Sequence, residues 1–146
     1  GVLIGLGTDG AASNNDLDMW EEMRLASLLQ KVTSMDPEVL SAIEVLRMAT
    51  SNGAKIIGME GEIGIIARGM KADIIQIAYD DVHHVPSYDI ASHLIYVTDE
   101  QDVINVIIDG KLIMHQKEFL TLDIKRIREE AASISNRIKE TMNSIQ

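Results

Sequence analysis

The chain alternates between two hydrophobic rhythms, and the change falls near residue 53. Before it, apolar positions recur at helical spacing. After it, they gather into short runs separated by glycines. The opening run Val2-Leu3-Ile4-Gly5-Leu6-Gly7 reads as a short buried strand over residues 2–7. Asn14-Asn15-Asp16 then offers caps for a helix over about 16–31, with Leu25, Leu28, Leu29 and Val32 on one face. Asp36-Pro37 predicts the start of a second helix carrying Val39, Ile43, Leu46 and Thr50 inward, and Asn52-Gly53 predicts its end.

Beyond Gly53, turns are expected at Gly58, Gly61, Gly64 and Gly69. Residues 73–78 read as a strand buried on both faces, followed by a loop from Tyr79 to Ile90. Ser92 to Val97 reads as the next strand. Residues 103–108 and 111–114 form a hairpin about Asp109-Gly110. A final helix over about 123–145 carries Ile124, Ile127, Ala131, Ile134, Ile138, Met142 and Ile145 on one stripe. So narrow a stripe is expected to dock on another part of the fold or on a second subunit, because an isolated helix is marginal.

Composition narrows this picture. With 146 residues there is room for one medium domain or two small dependent ones. Only five residues are aromatic, so the core must come from aliphatic side chains and methionine. The net charge of −10, with no clustered Lys/Arg stripe, argues against a nucleic acid or an anionic membrane as partner. No apolar run is long enough to span a bilayer. The absence of cysteine excludes disulfides and thiolate chemistry and fits a reducing cytoplasm. A chain that opens inside an apolar strand reads as a piece of a longer protein.

The candidate chemistry centres on Gly7-Thr8-Asp9-Gly10. A carboxylate at the exit of a buried strand is costly unless a cation or a substrate faces it. Spacing alone leaves two readings of Asp9 open: a ligand of that kind, or a turn or N-cap aspartate. Ser13 and Asn14 in the next loop either touch a substrate or cap the following helix. His83-His84 looks like a metal clip, but neighbours on an extended segment point opposite ways, which favours a loop or interface role. His93 is expected to be a packed, hydrogen-bonded histidine in a strand. Glu60, Glu62, Asp80 and Asp81 are expected to be solvated, and Trp20 and Met23 to pack against neighbouring structure.

The run Gly5-Leu6-Gly7-Thr8-Asp9-Gly10-Ala11-Ala12-Ser13-Asn14-Asn15, with Asp18-Met19 and Glu22-Met23-Arg24, resembles the amidohydrolase superfamily, and within it the methylthioadenosine/S-adenosylhomocysteine deaminases and related chlorohydrolases. Glu62 to Ile75, His84-Val85-Pro86, Ser92 to Tyr96 and Val106 to Lys111 agree with it in the same order. The resemblance implies an α/β architecture: the last strand and helices of a (β/α)8 barrel (1–55), the C-terminal part of a small β-sandwich (56–120), and a C-terminal amphipathic helix (121–146). It places Asp9 at the active-site end of a barrel strand. There the family's aspartate ligates a divalent metal, most simply zinc, and takes a proton from the water that attacks a purine-type substrate.

The family's remaining histidine and glutamate ligands have no counterpart among these residues. A catalytic metal site takes about three protein ligands. The expected partner is therefore a missing N-terminal part of the same protein, alongside a small-molecule substrate and a homo-oligomeric assembly. The segment by itself is expected to be inactive, and to aggregate or stay partly unfolded for want of strand partners. A guanine- or triazine-type deaminase or chlorohydrolase, or a non-catalytic interaction domain, are the alternatives.

Overall fold

The computed structural model describes residues 1–144; Ile145, the last position of the expected C-terminal stripe, lies outside them. In chain order the elements are α1 (Ala11–Asn14), α2 (Met19–Ser34), α3 (Ala42–Ala49), α4 (Ser51–Ile56), β1 (Ile74–Ile77), α5 (Ile90–Tyr96), β2 (Val103–Ile108), β3 (Lys111–His115), β4 (Glu118–Phe119) and α6 (Ile124–Asn143). Short 3-10 turns at Val82–His84 and Glu100–Asp102 flank α5. The four strands form one antiparallel sheet in the order β1-β2-β3-β4. The architecture is thus mixed, with helices first and a small antiparallel sheet after them.

The hairpin is as expected. Asp109 (φ 50°) and Gly110 (φ 75°) both take the left-handed conformation that a two-residue turn of this hand requires. The turn is tied back to the segment before β1, where Asp73 Oδ1 accepts from the Asp109 N–H at 2.7 Å and Ala72 O from the Gly110 N–H at 3.0 Å. The β1–β2 register pairs Ile75 with Val106 and Gln76 with Asn105. Asn105 is buried and bonded at both ends of its amide: Nδ2 donates to Gln76 Oε1 at 2.6 Å, and its Oδ1 accepts from His115 Nδ1 and the Gln116 N–H at 3.0 and 2.9 Å.

Six expectations are corrected. Residues 2–7 form no strand. A strand needs a neighbour for its backbone groups, and here the Leu6 N–H donates to Met48 O at 3.1 Å while Ile4 O accepts from the Asn52 side chain at 3.2 Å. The first long helix starts at Met19, because Asp18 and not the Asn14–Asp16 cluster caps it, accepting from the Trp20 N–H at 2.8 Å.

The second helix starts at Ala42 and not at Pro37. The Lys31 ammonium draws Pro37 O and Val39 O to itself at 2.9 and 2.6 Å, Leu40 turns left-handed at φ 49°, and Glu44 then closes a capping box on Ser41. Asn52-Gly53 lies inside α4 and ends no helix. Ser92 to Val97 is not a strand: Asp89 caps the segment by accepting from the Ser92 N–H at 2.7 Å, and α5 results. β1 is also half-exposed, not buried on both faces.

The core gathers Trp20 and Met23 of α2, Ala42 and Val45 of α3, and Ile95 of α5. Two polar links fasten it. Ser27 is fully buried and donates its one hydroxyl proton to Leu40 O at 3.1 Å, so Tyr96 OH must donate to Ser27 Oγ across 2.6 Å. The Arg24 guanidinium caps the C-terminus of α5, donating to Ile95 O at 3.3 Å and Thr98 O at 2.9 Å. Gly64 (φ +94°) packs so close to α4 that a Cβ would sit 2.7 Å from Ala54 Cβ, so only glycine fits there.

Much apolar surface stays in the open. Val2, Leu29, Val32, Ile66 and Tyr88 are exposed, and so is every residue of α6 after Ile124. Among the described residues no helix is long and apolar enough to cross a membrane.

Candidate functional site

Asp9 lies on a loop that its neighbours hold rigid. The chain entering it is pressed against α4, since a Cβ on Gly5 would fall 2.9 Å from Ile56 Cδ1. Asp9 itself takes φ 57°, a conformation that aspartate tolerates better than bulkier residues. Its carboxylate is exposed and not buried as the apolar run before it had implied. Oδ2 accepts from Ser13 Oγ at 2.8 Å, and Gly10 O lies 2.9 Å from the same hydroxyl. The Ser13 hydroxyl and then the Gly10 N–H hold the Asp9 carboxyl below its ordinary range, so it is a carboxylate near neutral pH.

Asn14 ties this loop to α2. Its amide donates to Thr8 O at 3.0 Å and to Glu22 Oε1 at 2.6 Å. Both of its amide protons are thereby spent, leaving Oδ1 as the free polar atom. Neither Ser13 nor Asn14 caps α2, a place Asp18 fills. The structure thus brings Asp9, Ser13 and Asn14 into one hydrogen-bonded unit with Thr8 and Glu22. As a metal ligand Asp9 has the right chemistry: an ionised, accessible oxygen donor. It stands outside the one group of three or more candidate ligands found among the described residues.

That group was not legible as such. It consists of His83, His84 and Asp102, whose ligand atoms all lie within 4.8 Å of one another. The two histidines do not point opposite ways. Asp81 caps a 3-10 turn through the Val82 N–H, and this brings their ring centroids to 4.0 Å. His83 Nε2 lies 3.1 and 3.2 Å from the two Asp102 oxygens. His84 Nδ1 and His93 Nε2 share a proton across 2.8 Å, and the Tyr79 ring stacks on His84 at 4.8 Å.

His93 is buried and hydrogen-bonded as expected, though from a helix. Burial pushes the Asp102 carboxyl up, but the Asp99 N–H and His83 outweigh it and leave it below the usual carboxylate range. The sequence signals that could have found this cluster are Asp81 and Asp99, each an N-cap of a short turn.

Residues 1–113 match the model of the amidohydrolase family. The chain belongs to that family. Among its relatives it is 49% identical over 131 residues, 90% of its length, to the 5-methylthioadenosine/S-adenosylhomocysteine deaminase of Pelotomaculum thermopropionicum, and 46% identical over 138 residues to the enzyme of that name from Acetivibrio thermocellus. It covers 30% and 32% of those proteins, so it spans about a third of the relatives it matches.

Among solved structures, an adenosine deaminase from Xanthomonas campestris with bound zinc superposes on 95% of the chain with a TM-score of 0.92 at 36% identity, the chain covering 32% of it. The zinc complex of atrazine chlorohydrolase from Arthrobacter aurescens superposes on 90% with a TM-score of 0.81 at 30% identity, with 29% of that protein covered.

Proposed function

We propose that this chain is the C-terminal part of a metal-dependent amidohydrolase that hydrolytically deaminates a purine nucleoside of the methylthioadenosine or S-adenosylhomocysteine type. The observation that carries the reading is the Asp9 carboxylate, ionised, accessible and pinned by Ser13, in a chain 49% identical to a deaminase of that name. In this reading residues 1–55 belong to the barrel, 56–120 to the small β-sandwich, and 121–146 to the terminal helix. The missing N-terminal part covers the open apolar surface and supplies the other ligands.

Asp9 would be one protein ligand of a divalent metal, with zinc favoured by the zinc-bound neighbours. When bound, such an ion supplies Lewis acidity and a water acidic enough to ionise near neutral pH. The residues of this chain supply one share of the chemistry. The Asp9 carboxylate takes the proton from the attacking water and passes it toward the departing amine. Ser13 keeps the carboxylate oriented through its hydrogen bond. Asn14 holds the Thr8–Asp9 backbone against Glu22 and offers substrate only its Oδ1.

The test is ammonia release from methylthioadenosine and S-adenosylhomocysteine by the full-length protein and its Asp9→Asn variant. Turnover lost in the variant supports the reading; equal turnover in both would refute it. The similarity to atrazine chlorohydrolase keeps a triazine- or guanine-type substrate as the second reading, and the same assay with those substrates separates the two. No turnover of any of them would favour a non-catalytic domain.

A further inference from the structure

We propose that His83, His84 and Asp102 form a structural zinc site that clamps the segment between β1 and β2, with His93 as its outer support. The carrying observation is an orphaned atom. His84 is 1% exposed and its Nε2 makes no hydrogen bond, although it faces Asp102 Oδ2 at 3.4 Å. That distance is long for a hydrogen bond, whereas His83 and the Asp99 N–H approach the same carboxylate to 3.1 and 3.0 Å. A buried ring nitrogen left unpaired costs about 1–3 kcal/mol.

Two of the three donor spacings match a cation. Zinc bound to imidazole nitrogen and carboxylate oxygen takes bonds of roughly 2.0–2.2 Å in a tetrahedron, which sets neighbouring ligand atoms about 3.3–3.5 Å apart. The His83–Asp102 and His84–Asp102 separations are 3.1 and 3.4 Å, and all three donors fall within 4.8 Å of one another. Two imidazoles and one carboxylate suit zinc, and the half-exposed side of His83 admits a water as fourth ligand. A ligating histidine characteristically donates its other ring N–H to a fixed acceptor. His84 Nδ1 is so placed: zinc on Nε2 makes Nδ1 the donor, and His93 Nε2 accepts at 2.8 Å. Tyr79, stacked on His84 and edge-on to His93, fixes the ring plane.

The experiment strips the full-length protein with a chelator, adds zinc chloride, and counts bound zinc by mass spectrometry after gel filtration. Thermal melting is followed with and without the metal. Four proteins are compared: wild type, Asp9→Ala, His83→Ala and the double variant. His83 is chosen because it is partly exposed, so its truncation leaves the core intact. The expected result is that His83→Ala binds one zinc fewer than its parent in both backgrounds. Failing complete loss, it binds that zinc more weakly by at least the roughly 10-fold that follows removal of an outer-shell partner. The zinc-induced rise in melting temperature of the Asp9→Ala protein should also vanish in the double variant.

Equal zinc content and equal melting shifts with and without His83 would overturn the proposal. The outcome is independent of the role of Asp9. If Asp9 holds no metal, Asp9→Ala leaves the zinc count unchanged while His83→Ala still lowers it.

Discussion

The loop around Asp9 and the histidine cluster between β1 and β2 are built from similar groups in opposite circumstances. Asp9 is exposed, its nearest partners are hydroxyl and amide donors, and among the described residues no histidine completes a ligand set around it. Asp102 is buried, and its partners His83, His84 and Asp99 all come from the same stretch of 20 residues. Under the proposed function the first arrangement needs contributions from outside this chain, which spans about a third of its relatives. The second closes on itself. A carboxylate's surroundings, more than its presence in a motif, therefore separate one corner of a shared site from a site that one segment completes.

The comparison is broken most severely by removing the acid of the first region. Asp9→Asn in the full-length protein should lower deaminase turnover by about 10²–10⁴-fold, the usual weight of a positioned proton acceptor, with little change in melting temperature. A large loss of stability with retained turnover would reverse the assignment of roles. In the second region the balance should invert. Asp102→Asn, which weakens the charge facing His83 and His84, should cost about 1–3 kcal/mol in denaturant unfolding and leave KM for the nucleoside unchanged.

Ser27→Ala tests the core between them. It leaves the Tyr96 hydroxyl without its acceptor, and about 1 kcal/mol or more of stability should go, while Ser27→Thr should restore part of it if the methyl fits. The smallest effect concerns pH. The Ser41 hydroxyl and then its N–H hold the Glu44 carboxyl below its ordinary 4.5, so folding gains stability above that value and loses it as pH falls through the depressed one. Glu44→Gln should flatten that acid-side slope in melting temperature, so that the two proteins differ slightly at neutral pH and converge in acid; the difference is small because the group is fully exposed.

Elements whose determinants are local were legible from the chain. Asp109-Gly110 needs only two residues at positive φ, and the stripe of α6 needs only its own periodicity. Misreadings arose where a tertiary partner or a cap decided the outcome. Ser92 to Val97 looks like a strand by its apolar run, yet one carboxylate at Asp89 starts a helix there. Residues 2–7 carry the pattern of a strand without a neighbour to pair with. The motif around Asp9 pointed to a shared site, but its exposure did not follow from an apolar run. The orientation of the histidine pair was misread because an extended backbone was assumed where Asp81 winds a 3-10 turn.

The helix α2 carries one further consequence. Glu22 holds Asn14, and with it the Asp9 loop; two positions later Arg24 holds the end of α5, and with it the segment bearing His93. The bearing of one region on the other is therefore encoded in the phase of a single helix. Each residue of an α-helix turns the chain by about 100°. One residue inserted between Glu22 and Arg24 would swing the two anchor points a quarter-turn or more out of alignment while leaving every group in both regions chemically intact. Along this stretch it is spacing, and not composition alone, that keeps the two regions in register.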